Sequence, residues 1–95
     1  MDLFKVLGDK DPEFAQRVVA LRGFADAGGA LEAKTKTLMS MLADAILGHP
    51  DGVAALAERA RQQGASEQEI VETVRMAFTC GGLPALVTAL RAFKQ

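Results

Sequence analysis

The sequence predicts an all-α fold, and three observations carry that expectation. Apolar residues recur at three- and four-residue spacing through most of the chain. Turn-forming stretches, Gly28-Gly29, His49-Pro50-Asp51-Gly52 and Gly81-Gly82, punctuate those runs. No segment sustains the alternation of a half-buried strand, and there is no internal repeat or low-complexity tract.

Residues 1 to 10 read as a short turn or helix with a break at Gly8. Asp11-Pro12 then has the form of an N-cap followed by proline at the first helical position, where the missing N–H costs nothing. From there Phe14, Val18, Leu21 and Ala25 make one apolar stripe expected to face the core, ending at Gly28-Gly29. A helix over about 32 to 47 presents Leu38, Met41, Leu42, Ala45 and Ile46, with Lys34, Lys36, Ser40 and Asp44 largely off that face. Gly48 can close it in a left-handed conformation, and His49-Pro50-Asp51-Gly52 is a turn. A helix over about 52 to 63 buries Val53, Leu56, Ala57 and Ala60 and stops at Gly64. Ser66 with Glu69 is a capping box that opens a helix over about 67 to 79, with Ile70, Val74, Ala77 and Phe78 inward. Gly81-Gly82 breaks it, and Pro84 opens a last helix in which Val87, Leu90 and Phe93 repeat the spacing.

At 95 residues the chain is expected to form one domain over 1–95 with one core. Hydrophobic residues are 49% of it, yet there is no Trp or Tyr and only five Phe, so closely packed Leu, Ala, Val, Ile and Met must build that core. So short a chain buries a small share of its surface, and the surplus apolar area is expected to lie between subunits. The formal net charge is −1 with both signs interleaved, which leaves no basic stripe for nucleic acid. The first residues lack a charged-then-apolar leader, and no run approaches the roughly 20 apolar residues that span a bilayer. The expectation is a cytoplasmic protein with no membrane partner. The one cysteine, Cys80, cannot pair within its own chain.

Three stretches in this order resemble the carboxymuconolactone decarboxylase and alkylhydroperoxidase D-like family. They are Gly29-Ala30-Leu31-Glu32-Ala33-Lys34-Thr35-Lys36-Thr37-Leu38, Gly64-Ala65-Ser66-Glu67-Gln68-Glu69-Ile70-Val71-Glu72 and Gly81-Gly82-Leu83-Pro84-Ala85. The resemblance implies a bundle of about five helices with a helical hairpin at its heart, assembled as a homo-oligomer, a trimer or a hexamer. Redox members of the family carry a Cys-x-x-Cys followed by His at the start of the hairpin's second helix and a Glu on the helix before it. In such a site a thiolate attacks and a second thiol one turn away resolves the mixed disulfide. In register from Gly64, the two cysteine positions fall on His49 and Gly52, the histidine on Leu56 and the glutamate on Thr37. Framework residues persist while each chemical residue is replaced, which argues against thiol-dependent peroxide reduction by that route. The decarboxylase branch needs no paired cysteines and no cofactor, only a positioned acid or base and an anion site.

His49, the only histidine, is one candidate catalytic residue, a base with a pKa near neutrality, against the simpler reading of a turn histidine bonded to helix-end carbonyls. Cys80 is the other, a reactive thiol or intersubunit contact, against the simpler reading of a buried structural cysteine. Glu69 and Glu72 can present two carboxylates one turn apart, although capping accounts for Glu69. Met39, Met41 and Met76 read as core or interface fillers, and without clustered ligands neither a metal nor a cofactor is expected. The break at Gly81-Gly82 can offer backbone N–H groups to a carboxylate at a helix start. The resulting expectation is a family-like protein without the thiol motif that binds or transforms a small organic acid or lactone near His49 at a subunit boundary. The rivals are a peroxidase that pairs Cys80 with a second subunit's Cys80, and a non-catalytic oligomerisation module.

Overall fold

The computed structural model describes residues 2–93, and every regular element among them is helical. Asp2 accepts the backbone N–H groups of Phe4 and Lys5 and opens α1, Leu3–Lys10. The expected break at Gly8 does not occur. One glycine costs a helix only about 1 kcal/mol, and the Asp2 cap together with the Asp11 N–H bond to Leu7 O closes both ends.

Asp11 caps α2, Pro12–Asp26, by accepting the Phe14 N–H at 3.1 Å, as the sequence predicts. Its apolar stripe does not enter the core: no residue of α2 is buried, and only Ala15, Val18 and Asp26 are half-buried. Helical spacing identifies an apolar face, but only neighbours decide whether it is covered. Here α2 meets α1 and the flank of α3, with Asp26 reaching Arg59 of α4, and most of its remaining surface is exposed among the described residues.

α3, Ala33–Leu47, is the central helix, packed against both α4, Pro50–Gln62, and α5, Glu67–Ala89. Gly48, at φ 79° and ψ 36°, ends α3 in the left-handed conformation, and the His49 N–H reaches back to Asp44 O at 2.8 Å. That tight reversal makes the α3–α4 hairpin. α4 starts at Pro50 rather than residue 52, because proline suits the first helical position.

The capping box forms in both directions: Ser66 Oγ accepts the Glu69 N–H at 3.0 Å, and Glu69 Oε1 accepts the Ser66 N–H at 2.8 Å. The expected break falls at Gly82, whose backbone is non-helical at φ 77° and ψ −166°, so α5 consists of two helical segments that meet there at a kink. Beside it, a Cβ on Gly81 would stand 2.6 Å from the Ala85 Cβ and 3.3 Å from Ile46 Cγ1, so the bare backbone lets α5 cross α3 closely. That crossing explains a second correction. Past the kink the buried residues are Ala85, Ala89 and, in a 3₁₀ turn at Leu90–Ala92, Ala92, while Val87 and Leu90 point outward. Ile46 and Phe78, both expected inside, are also exposed.

Met41, Val53 and Ile70 are the largest fully buried side chains, with half-buried Leu38, Leu42, Leu56, Leu86 and Phe93 packed around them. Arg61 ties the ends of the body together. Its Nε donates to Glu67 Oε2 at 2.7 Å and an Nη to Ala92 O at 2.8 Å, and the Glu67 bond raises the guanidinium further above its ordinary range. By length and composition, Glu67–Ala92 is apolar enough to cross a bilayer. Gly82 divides it into two shorter helical runs, as the sequence predicts, and the buried face packs within the bundle.

Candidate functional site

Thr37, Ser40 and Asp44 lie three and four residues apart on α3 and therefore share one face, a polar stripe beside the apolar one. α4 sets Leu56 and Arg59 opposite that stripe, and α2 brings Arg22 and Asp26 over its edge. Together with Ala43 these side chains line a cleft of about 300 Å³. Such a volume suits a small organic molecule.

Both signs of charge are present. Arg59 Nη1 stands 3.9 Å from Asp26 Oδ2 across the cleft. The Arg22 guanidinium lies 5.5 Å from the centre of the Phe4 ring, a cation–π contact, and makes no ion pair among the described residues. Thr37 is buried and donates its hydroxyl to Ala33 O at 3.1 Å. Lys36 turns the other way, its ammonium donating to Ala25 O at 2.9 Å and Ala27 O at 2.8 Å at the end of α2. That arrangement puts a cation on the partial negative charge of a helix C-terminus.

Asp44 connects the cleft to the start of α4. Its Oδ1 is 3.2 Å from His49 Nδ1, and a Cβ on Gly52 would overlap its Oδ2. Only glycine at 52 leaves room for this carboxylate against the first turn of α4. The bond orients the imidazole with Nδ1 toward the Asp44 carboxylate, where an Nδ1–H would donate to it.

His49, expected in the inter-helix turn, occupies the N-cap of α4 with its side chain 60% exposed. Its partner is a carboxylate rather than the helix-end carbonyls expected for a turn histidine, and its ring stands behind Asp44 rather than in the cleft wall. Cys80 is exposed on α5, outside this cleft, which corrects the expectation of a buried thiol. Ala77 and, beyond the kink, Ala85 take the inward positions there. At Gly81-Gly82 the chain leaves helical geometry at Gly82, and a new helical segment begins beside Pro84, as the sequence expects.

Glu69 and Glu72 do lie together, on a second groove of about 360 Å³ between α3 and α5 that Leu38, Leu42, Met39 and Met76 also line. The Ser66 N–H bond, followed by the Lys34 ammonium at 3.2 Å, holds the Glu69 carboxyl below the usual carboxylate range. Its capping role therefore stands beside any other. Met39 and Met76 are about half exposed here, so of the three methionines only Met41 fills the core.

Of the four positions taken in register from Gly64, Thr37 and Leu56 line the cleft, and Asp44 links the other two, His49 and Gly52. Sequence reasoning missed Arg22, Asp26, Ser40, Asp44 and Arg59. The available signal was polar periodicity: Thr37-Ser40-Asp44 on one helix and Arg22-Asp26 on another repeat at helical spacing.

The model of the carboxymuconolactone decarboxylase family matches residues 12–95. No curated protein matches the chain. No solved structure matches it.

Proposed function

From the premise that this chain belongs to the carboxymuconolactone decarboxylase family, we propose that it binds or transforms a small organic acid or lactone in the cleft between α2, α3 and α4, without thiol redox chemistry. The observation that carries this reading is Arg22, a guanidinium with no carboxylate partner among the described residues, in a cleft that Ser40 also lines. A substrate carboxylate would meet that cation in a charge-assisted hydrogen bond. Leu56 and Ala43 would take the carbon skeleton.

Proton transfer falls to Asp44 and His49. Asp44 borders the cleft and holds Nδ1 of His49, so a proton lost by the substrate passes to the carboxylate–imidazole pair and a proton gained comes from it. Such chemistry needs no cofactor, in keeping with the decarboxylase side of the family. The protein is further read as a cytoplasmic homo-oligomer, since much of its apolar surface is uncovered in the single chain.

The test is calorimetric titration of a panel of small carboxylates and lactones, with carboxymuconolactone turnover followed in parallel. At least one acid should bind saturably, and Arg22→Ala should weaken it about tenfold or more, the worth of one hydrogen bond to a charged group. Any turnover should fall with His49→Ala while binding persists. Absence of saturable binding, or binding indifferent to Arg22→Ala, overturns the reading.

A further inference from the structure

Phe14, Arg17, Leu21 and Phe24 recur at intervals of three, four and three residues, so they form one stripe along α2. None of them is covered: the three apolar side chains are 53%, 68% and 82% exposed, and Arg17 pairs only with Glu13 in a bridge whose side chains are 75% and 78% exposed. Neighbouring α1 adds Leu3, Phe4 and Val6, also exposed, and contains no buried residue. A 15-residue helix with no buried face is marginal by itself. The α1–α2 arm therefore needs a surface that its own chain does not supply.

The chain does carry a matching surface elsewhere. The α3–α5 groove is apolar along Leu38, Met39, Leu42 and Met76 and bears carboxylates at Glu69 and Glu72. Glu69 is already engaged by Lys34 and Ser66, whereas Glu72 receives only a long bond from Gln68 at 3.4 Å. An apolar stripe with one cation within it and an apolar groove with one weakly engaged anion beside it are complementary in shape class and in charge. The arm cannot fill this groove in its own chain. Lys36 and the Arg59–Asp26 pair hold α2 along the Thr37–Ser40 side of α3, and only residues 27–32 join the two helices.

We propose that the α2 stripe of one copy seats in the α3–α5 groove of a second copy, with Arg17 meeting Glu72. Phe14, Leu21 and Phe24, at 53%, 68% and 82% exposure, together offer on the order of 400 Å² of apolar arm surface to such a contact. The contact joins two different patches, so it closes as a ring of copies or by reciprocal exchange. The arm also carries Arg22 and Asp26, and seating it on a neighbour fixes one wall of the organic-acid cleft.

This inference rests on the homo-oligomeric part of the function proposed above, and it is tested on the full chain by sedimentation or light-scattering mass. The wild type should be assembled at micromolar concentration. Leu21→Glu in the stripe, or Met76→Glu in the groove, should each shift it to monomer while far-ultraviolet circular dichroism stays helical. Arg17→Glu and Glu72→Arg should each raise the dissociation constant about tenfold, and the double reversal should recover most of that loss. A monomeric wild type overturns both self-assembly and this surface. An assembled wild type whose mass ignores these substitutions, or whose charge reversals fail to rescue one another, overturns the surface alone. Neither outcome touches the ligand titration, which is read separately.

Discussion

At position 52 a methyl group and the Asp44 carboxylate compete for one volume. Gly52→Ala should therefore destabilise the native chain by about 1–3 kcal/mol, the usual cost of an inserted methyl group in a packed site. With Asp44→Ala in the background the sign should reverse, to a gain of about 0.5–1 kcal/mol, because alanine is the better helix residue. Urea unfolding of the four variants gives both values, and a same-sign pair would refute the packing account. Glu69 supplies a pH dependence. Its carboxyl is held below the usual range in the folded state by the Ser66 N–H and Lys34, so the folded state binds fewer protons there than the unfolded one. The stabilisation is complete above the ordinary carboxylate range and is lost as pH falls through the lowered folded value. Glu69→Gln should flatten the acid limb of a stability-versus-pH curve and leave its neutral-to-alkaline part unchanged in slope. A limb as steep as in the wild type would contradict the assignment.

The local signals that the sequence shows most clearly are the ones the helices use. Asp11-Pro12, Gly48 and the Ser66–Glu69 box act through bonds to the nearest few backbone groups, so their geometry depends little on the rest of the fold. The Gly81-Gly82 signal is likewise used, as an interruption of the helical backbone at Gly82, while the way the two segments meet depends on what they pack against. The Gly82 backbone, at φ 77° and ψ −166°, lies where side chains are strained. Gly82→Ala should cost about 1–3 kcal/mol, read as a lowered thermal midpoint. An unchanged midpoint would mean that α5 can straighten without loss. The buried face beyond the kink was misread for a related reason. Val87 and Leu90 match the spacing as well as Ala85 and Ala89 do, but the close crossing beside Gly81 admits only the smaller set.

Across the whole molecule, the body of α3, α4 and α5 was legible because its apolar faces cover one another within a single chain. The α1–α2 arm was not, because its stripe has the same periodicity and no cover of its own. Half of the candidate site followed from the register set at Gly64, which led to Thr37, His49, Gly52 and Leu56. The rest divides in two: Ser40 and Asp44 share the spacing of Thr37 on α3, whereas the approach of Arg22, Asp26 and Arg59 from other helices is a tertiary fact that spacing within one helix does not contain. The Lys36 ammonium, bonded to the Ala25 and Ala27 carbonyls, has a role beyond capping. It fastens the arm to the trunk one peptide unit from Thr37 in the cleft wall. Acylation of this one amine would remove its charge and weaken both carbonyl bonds, leaving the Arg59–Asp26 pair and the α2–α3 packing to hold the arm beside the cleft.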